Sequence, residues 1–295
     1  MSPSRRSLLA TAAVAPLAAP AALAIPRRAA PPWTHESYAA AMKASGREPG
    51  LARAEFDAVQ ERKGRVLKWI GKYLEQRLGS ADPAVLRAFT EVPREYYHYH
   101  YGNRASFATI AYEETAKPYP IGYGSALSDY LGQAYMTQLC RPRPGESALA
   151  IGTGSGFQIS ILSRIVERAR SIEIVEPLGA LVAKLFKPLG YENVETRVGD
   201  GYFGWPGEKD GFDIVIVTCA AQYVPPPLMK QLKPGGRLII PIGQPFKREQ
   251  ILYVFTKDAA GKIHSRKDVG VYFIPMTGKM MADARPEAPP AAPKE

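Results

Sequence analysis

The chain has 295 residues and 46% hydrophobic composition, enough to bury a full core in one large domain or in one domain with a cap. Net charge is +10, or +8 without Arg5 and Arg6, but Lys and Arg are scattered, with no basic run and no reading module, which argues against a nucleic-acid partner. Cys140 and Cys219 lie far apart and match no metal or CxxC spacing, so they read as buried thiols, although an exported protein would permit a disulfide.

Residues 1–24 read as an export signal. Ser4-Arg5-Arg6-Ser7-Leu8-Leu9 resembles the twin-arginine consensus, an uncharged alanine-rich stretch follows, and Ala22-Leu23-Ala24 supplies a small-x-small cleavage site. The apolar run is short and broken by Pro16 and Pro20, which speaks against a stable membrane span. The other reading is a disordered leader that does not export, leaving the protein cytoplasmic.

Residues 25–50 read as a mobile arm, polar and proline-bearing from Ala30 to Gly50, and residues 51–140 as an N-terminal helical and substrate-side region. From Leu51 to Leu78, Phe56, Val59, Val66, Ile70 and Leu74 recur at helical spacing, and Gly79-Ser80 ends the run. Asp82-Pro83 opens a second helix to Thr90 in cap-then-proline order, and Val92-Pro93-Arg94-Glu95 stops it. In Tyr96–Tyr101, His98 and His100 share one strand face, a ligand spacing. No third ligand is placed nearby, so the segment reads as an aromatic surface or groove wall with no metal. A loop runs through Pro120, Ile121-Gly122-Tyr123-Gly124 is a turn, and Ser125–Leu139 is a short approach and a helix.

Residues 141–281 alternate strands and helices. Strands are expected at Glu146–Ile151, Ser171–Val175, Val194–Val198, Phe212–Thr218 and Arg237–Ile242, with helices at Gln158–Ala169 and Leu178–Leu189. That order predicts an α/β fold, a mostly parallel sheet covered on both faces. Gln250–Thr256 and Val269–Ile274 read as a closing antiparallel hairpin, and residues 282–295 as a disordered tail.

The candidate site follows from the glycines. Gly152-Thr153-Gly154-Ser155-Gly156 lies between a buried strand and a helix, where glycine brings bare backbone against a nucleotide-like ligand. Glu173, near the end of the next strand, can accept both hydroxyls of a ribose. Asp200, in Gly199-Asp200-Gly201, follows the third strand at the same sheet edge, where ligands of open α/β sheets bind. The spacing Gly152-x-Gly154-x-Gly156 departs from the dinucleotide pattern GxGxxG, and the closing hairpin is foreign to dinucleotide domains. Both favour S-adenosylmethionine over NAD.

From about Asp82 to Pro275 the chain resembles the protein-L-isoaspartate O-methyltransferases. The resemblance rests on Asp82–Leu86, Val92-Pro93-Arg94-Glu95, Pro120–Gly124, Ile151–Gln158, Ser171–Val175, Leu189–Val194, Gly199–Pro206, Phe212–Thr218 and Gln231–Leu238. Most particular is Gly-Asp-Gly with Gly-Trp-Pro, joined to Val-Pro-Arg-Glu. The resemblance implies a Rossmann-like class I methyltransferase with an N-terminal helical cap, S-adenosylmethionine as cofactor, and methylation of the free carboxyl of L-isoaspartyl residues in damaged proteins; the protein is expected to be a monomer. It implies cofactor contacts at Gly152, Gly154, Gly156, Glu173, Asp200 and Gly201. By family position it also implies a substrate-side hydroxyl at Ser128, whose other reading is the N-cap of the helix from Asp129. A carboxylate nucleophile is ionised at neutral pH and needs no general base, so the lack of a catalytic His or Cys suits this chemistry.

The chain departs from the family at Ala150, where an acid usually seats the methionine end of the cofactor. It departs again at Ala126, in place of threonine, and at Asp129-Tyr130, where a proline is typical; Tyr112–Tyr119 also looks lengthened. Two alternatives therefore stand beside repair: an exported non-catalytic pseudo-methyltransferase that binds protein segments, and a methyltransferase for a different carboxyl. Export itself raises a question of supply, because no S-adenosylmethionine is made outside the inner membrane.

Overall fold

The computed structural model describes residues 32–283 except Arg248. The predicted leader, the first part of the arm and residues 284–295 of the tail lie outside the described residues.

The N-terminal elements are α1 (His35–Ala44), α2 (Arg53–Leu78), α3 (Pro83–Glu91) and α4 (Arg94–Tyr97). They are followed by the short strands β1 (Tyr99–His100), β2 (Ala105–Ser106), β3 (Tyr119–Gly122) and β4 (Ser125–Leu127), then α5 (Tyr130–Cys140). The second half runs β5 (Ser147–Ile151), α6 (Phe157–Ser163), β6 (Arg168–Glu173), α7 (Glu176–Val182), β7 (Val194–Val198) and β8 (Phe212–Val217). It closes with α8 (Pro226–Lys230), β9 (Leu232–Ile242), β10 (Gln250–Lys257), β11 (Ile263–Val271) and α9 (Lys279–Asp283). Among the described residues no helix is long and apolar enough to cross a membrane.

One seven-stranded sheet carries the fold, in the order β11-β10-β9-β8-β5-β6-β7. The five strands from β9 to β7 are parallel, and β10 and β11 are antiparallel, as expected of the closing hairpin. The central strands are apolar on both faces because the alternating pleat feeds two cores. Ala148, Ala150, Ile214 and Ile216 join the larger cluster shared with the N-terminal helices, while Leu149, Ile151, Val215 and Val217 pack into the other. The chain leaves β5 toward β6 on one side and reaches β8 on the other. This switch opens a crevice at the carboxyl ends of the strands.

The structure corrects several expectations. Residues 35–44, read as part of a mobile arm, form α1, with Thr34 and Ser37 in a capping box and Tyr38 and Met42 fully buried. Tyr96, Tyr97, Tyr99 and Tyr101 are core residues, not a groove wall; Tyr97 donates to Ser160 Oγ at 2.7 Å, and His98 is enclosed between Phe107 and Tyr119. α6 is shorter than expected: it ends at Ser163, and Ala169 lies within β6. β9 begins at Leu232, running through Lys233-Pro234-Gly235-Gly236, and β11 is Ile263–Val271 where Val269–Ile274 was expected. Cys140 and Cys219 are both free thiols; Cys140 is buried, and Cys219 is partly exposed.

Candidate active site

The loops at the carboxyl ends of β5, β6, β7 and β8 surround a cavity of about 540 Å³. That volume falls within the ~300–1,000 Å³ usual for small-molecule sites. Its walls bring together Gly152, Gly154, Glu173, Asp200, Gly201 and Ser128, drawn from four separate segments of the chain.

The floor is the glycine turn after β5. Gly152 has φ 88° and Gly154 φ 53°, the left-handed region that glycine enters without strain. A Cβ on Gly154 would come no nearer than 3.9 Å to any other atom, so this face of the turn is bare backbone toward the hollow. Gly156 is placed differently: it caps α6 and packs it down, since a Cβ there would press on Val182 and Phe186 at 3.0–3.1 Å. It is not among the cavity-lining residues.

Glu173 braces the turn. Its Oε2 accepts from the Gly154 amide at 2.8 Å and its Oε1 from the Val175 amide at 3.1 Å. A carboxylate offers about four lone-pair sites, so each oxygen keeps capacity for a hydroxyl donor from the cavity. Beside it, Cys219 has its thiol pushed up to about 12, first by burial and then by the charges of Glu173 and Asp200, so it stays protonated.

The opposite wall is built by the β3–β4 hairpin and the start of α5. Asp129 is the N-cap of α5, accepting from the Gly132 amide at 2.7 Å. The capping role considered for Ser128 is thus taken by its neighbour. Among the described residues the Ser128 hydroxyl forms no hydrogen bond, and Ser128 lines the cavity. Its carbonyl oxygen instead accepts from Arg94 Nη2 at 2.7 Å, and Arg94 Nη1 donates to Gln133 Oε1, another wall residue, at 2.6 Å. Burial pushes the Arg94 guanidinium down to about 10, which leaves it charged at neutral pH. The adjacent Glu95 is fully buried and accepts from Trp33 Nε1, Gln60 Nε2 and Tyr112 OH, tying the cap helices to the same point.

Arg94 therefore belongs to the site, though only its membership in Val92-Pro93-Arg94-Glu95 marks it in the sequence. Ile274–Thr277, which forms part of the wall, carries no motif at all. Ala126 lines the cavity, whereas Ala150 is buried in the sheet and does not reach it. Asp200 borders the hollow, but Oδ1 accepts from the Tyr202 amide at 2.9 Å and Oδ2 from the Lys279 amide at 2.7 Å.

Comparison with known proteins agrees with this geometry. The family described as "Protein-L-isoaspartate(D-aspartate) O-methyltransferase (PCMT)" matches residues 70–281. The chain is 40% identical over 237 residues to "Protein-L-isoaspartate O-methyltransferase 2" of Syntrophobacter fumaroxidans, covering 80% of this chain and 92% of the relative. It is 47% identical over 161 residues to "Protein-L-isoaspartate O-methyltransferase 1" of Nitrosospira multiformis, covering 55% and 67%. A solved structure titled as a protein-L-isoaspartate O-methyltransferase superposes with TM-score 0.63 at 26% identity, over 74% of this chain and 67% of the other. A second, from Plasmodium falciparum and in complex with S-adenosyl-L-homocysteine, gives TM-score 0.58 at 22% identity, over 71% and 97%, and shares the fold.

Proposed function

We infer, since the chain belongs to the protein-L-isoaspartate(D-aspartate) O-methyltransferase family, that it methylates the free carboxyl of L-isoaspartyl residues in damaged proteins, with S-adenosylmethionine as donor. The observation that carries the reading into this molecule is one cavity that joins a bare glycine turn, a buried carboxylate with spare acceptor capacity and an unclaimed serine hydroxyl.

The donor, when bound, supplies an electrophilic methyl group on a positively charged sulfur. Glu173 grips the ribose hydroxyls while holding the Gly154 turn in place. Gly154 lets ligand atoms approach the main chain, while Gly152 and Gly201 line the same wall with their Cβ directions taken up by Thr218 and Ile151. Ser128 donates to the substrate carboxylate and orients the attacking oxygen, and Arg94 holds Ser128 and Gln133 in register. With the donor bound, an ionised substrate carboxylate would need no proton removed, so these residues would have only to hold and orient it. The residues thus act by positioning, which can lower a barrier by roughly 7–11 kcal/mol. A protonated Cys219 thiol is a weak nucleophile and does not compete for the methyl group.

The test is to incubate the protein with labelled S-adenosylmethionine and an isoaspartyl peptide beside its aspartyl twin. Label is expected on the isoaspartyl peptide alone, and its absence from folded protein would overturn the reading. A non-catalytic role is not favoured, because the matching family model and the relatives at 40–47% identity carry the methyltransferase description.

The protein acts as a monomer, which gel filtration tests, and nucleic acid is not a partner. It is exported in folded form through its Arg5-Arg6 leader; replacing both arginines by lysine should retain it in the cytoplasm on fractionation. Unchanged fractionation would mean that the leader is not used.

A further inference from the structure

Asp200 stands at the cavity wall in the Gly-Asp-Gly block, where a carboxylate is expected to face the cofactor. Its hydrogen bonds point elsewhere. One oxygen holds Tyr202, two residues on, and the other holds the main-chain amide of Lys279, 79 residues on. The segment it reaches is part of the same wall: Ile274, Pro275, Met276 and Thr277 line the cavity.

That segment is tied to the sheet as a strap. Ala220 N donates to Ile274 O and Met276 N to Ala220 O, both at 2.8 Å, in a parallel bridge just past β8. Met276 and Met280 are sunk in the smaller core cluster beside Tyr202 and Leu228. Between these anchors sits Gly278, with φ 72°. A Cβ there would fall 2.3 Å from Asp200 Oδ2 and 2.7 Å from Ile174 Cδ1. Only glycine lets the carboxylate close on the next amide, so Gly278 and Asp200 make one device.

We propose that residues 274–279 are a latched wall of the donor cavity, with Asp200 as the latch. Asp200 is then a positioning residue: it acts on donor affinity through the strap it holds, not by touching the donor. The inference rests on reading the cavity as the donor site. Charge-assisted bonds from a carboxylate to backbone N–H are among the stronger ones available, and this one fixes the exposed turn between the buried Met276 and Met280.

The latch can be broken without touching its carboxylate. Gly278→Ala collides with Asp200 but lies outside the cavity lining. We expect it to weaken S-adenosylhomocysteine binding at least tenfold by calorimetry, as Asp200→Ala does, with the double variant no worse than either alone. Without ligand, trypsin should cut after Lys279 at least tenfold faster in both variants than in the parent, the site being read by mass spectrometry. Asp200→Asn, which keeps the shape, should fall between, and thermal unfolding should confirm that each variant is folded. Gly278→Ala binding like the parent while Asp200→Ala fails would overturn the latch and give Asp200 a direct contact. Unchanged cleavage after Lys279 would also overturn it. Absence of binding by the parent protein would instead strike the donor-site reading itself.

Discussion

Arg94 Nη2 donates to the carbonyl oxygen of Ser128 at 2.7 Å from a position that is 1% exposed. A buried cation thus sets the backbone on which the Ser128 hydroxyl stands. Lysine keeps the charge but not the planar fork that reaches Ser128 and Gln133 together. Arg94→Lys should lower kcat about tenfold while donor affinity stays within about twofold. Arg94→Ala leaves two acceptors unpaired and should cost about 2–4 kcal/mol in urea unfolding.

Ser128 and its neighbour should separate cleanly. A hydrogen bond to a charged group contributes about 1.5–3 kcal/mol, so Ser128→Ala should reduce kcat/KM for the isoaspartyl peptide roughly 10- to 150-fold. Stability and donor binding should hardly change. Asp129→Ala removes the helix cap and should lower stability by about 1 kcal/mol. A Ser128→Ala protein as unstable as Asp129→Ala would contradict the division of roles.

For Glu173 the expected loss is in donor binding. Glu173→Gln replaces one acceptor oxygen by a donor against the Gly154 or Val175 amide and should weaken S-adenosylhomocysteine binding by about tenfold, or ~1.4 kcal/mol. Glu173→Ala also removes the brace of the turn and should weaken it further. Calorimetry reads both, and equal losses in Glu173→Ala and Ser128→Ala would show that the two roles are misassigned.

His98 makes stability fall in acid. Burial first, and then the charge of Arg94, holds its imidazole well below the usual range, and neither ring nitrogen has a protein partner among the described residues. With the folded value depressed, the unfolded chain binds the proton first as pH drops. The neutral-histidine contribution is therefore complete above the unfolded value of ~6.5 and is lost as pH falls toward the folded one. The slope approaches about 1.4 kcal/mol per pH unit for one proton. His98→Phe, which suits the space between Phe107 and Tyr119, should match the parent at pH 7.5 and exceed it at pH 5.5 in urea midpoint. Identical pH profiles would rule this out.

Much of the fold is legible in the chain because its signals are local. The apolar runs at Ser147–Ile151 and Phe212–Val217, the Asp82-Pro83 helix start and the glycine turn each report on their own neighbours in sequence. α1 is not legible, because a ten-residue helix of polar and small residues becomes stable only against Phe56 and Tyr96. Tyr96–Tyr101 looks like surface for the same reason: the partners that bury it, Arg47, Ser160, Leu185 and the β3–β4 hairpin, are distant in sequence.

The sequence by itself determined the α/β order, the glycine floor and which acids and hydroxyls stand near one sheet edge, since turn chemistry and periodicity act over a few residues. The tertiary structure alone decided which contacts those groups make. Asp129, and not Ser128, caps α5; Gly156 packs α6 down; Arg94 stands behind the wall; and residues 274–277 enter it without a motif. Asp200 shows why: a carboxylate bonds whichever amide the packing brings to it, and here that amide lies 79 residues away.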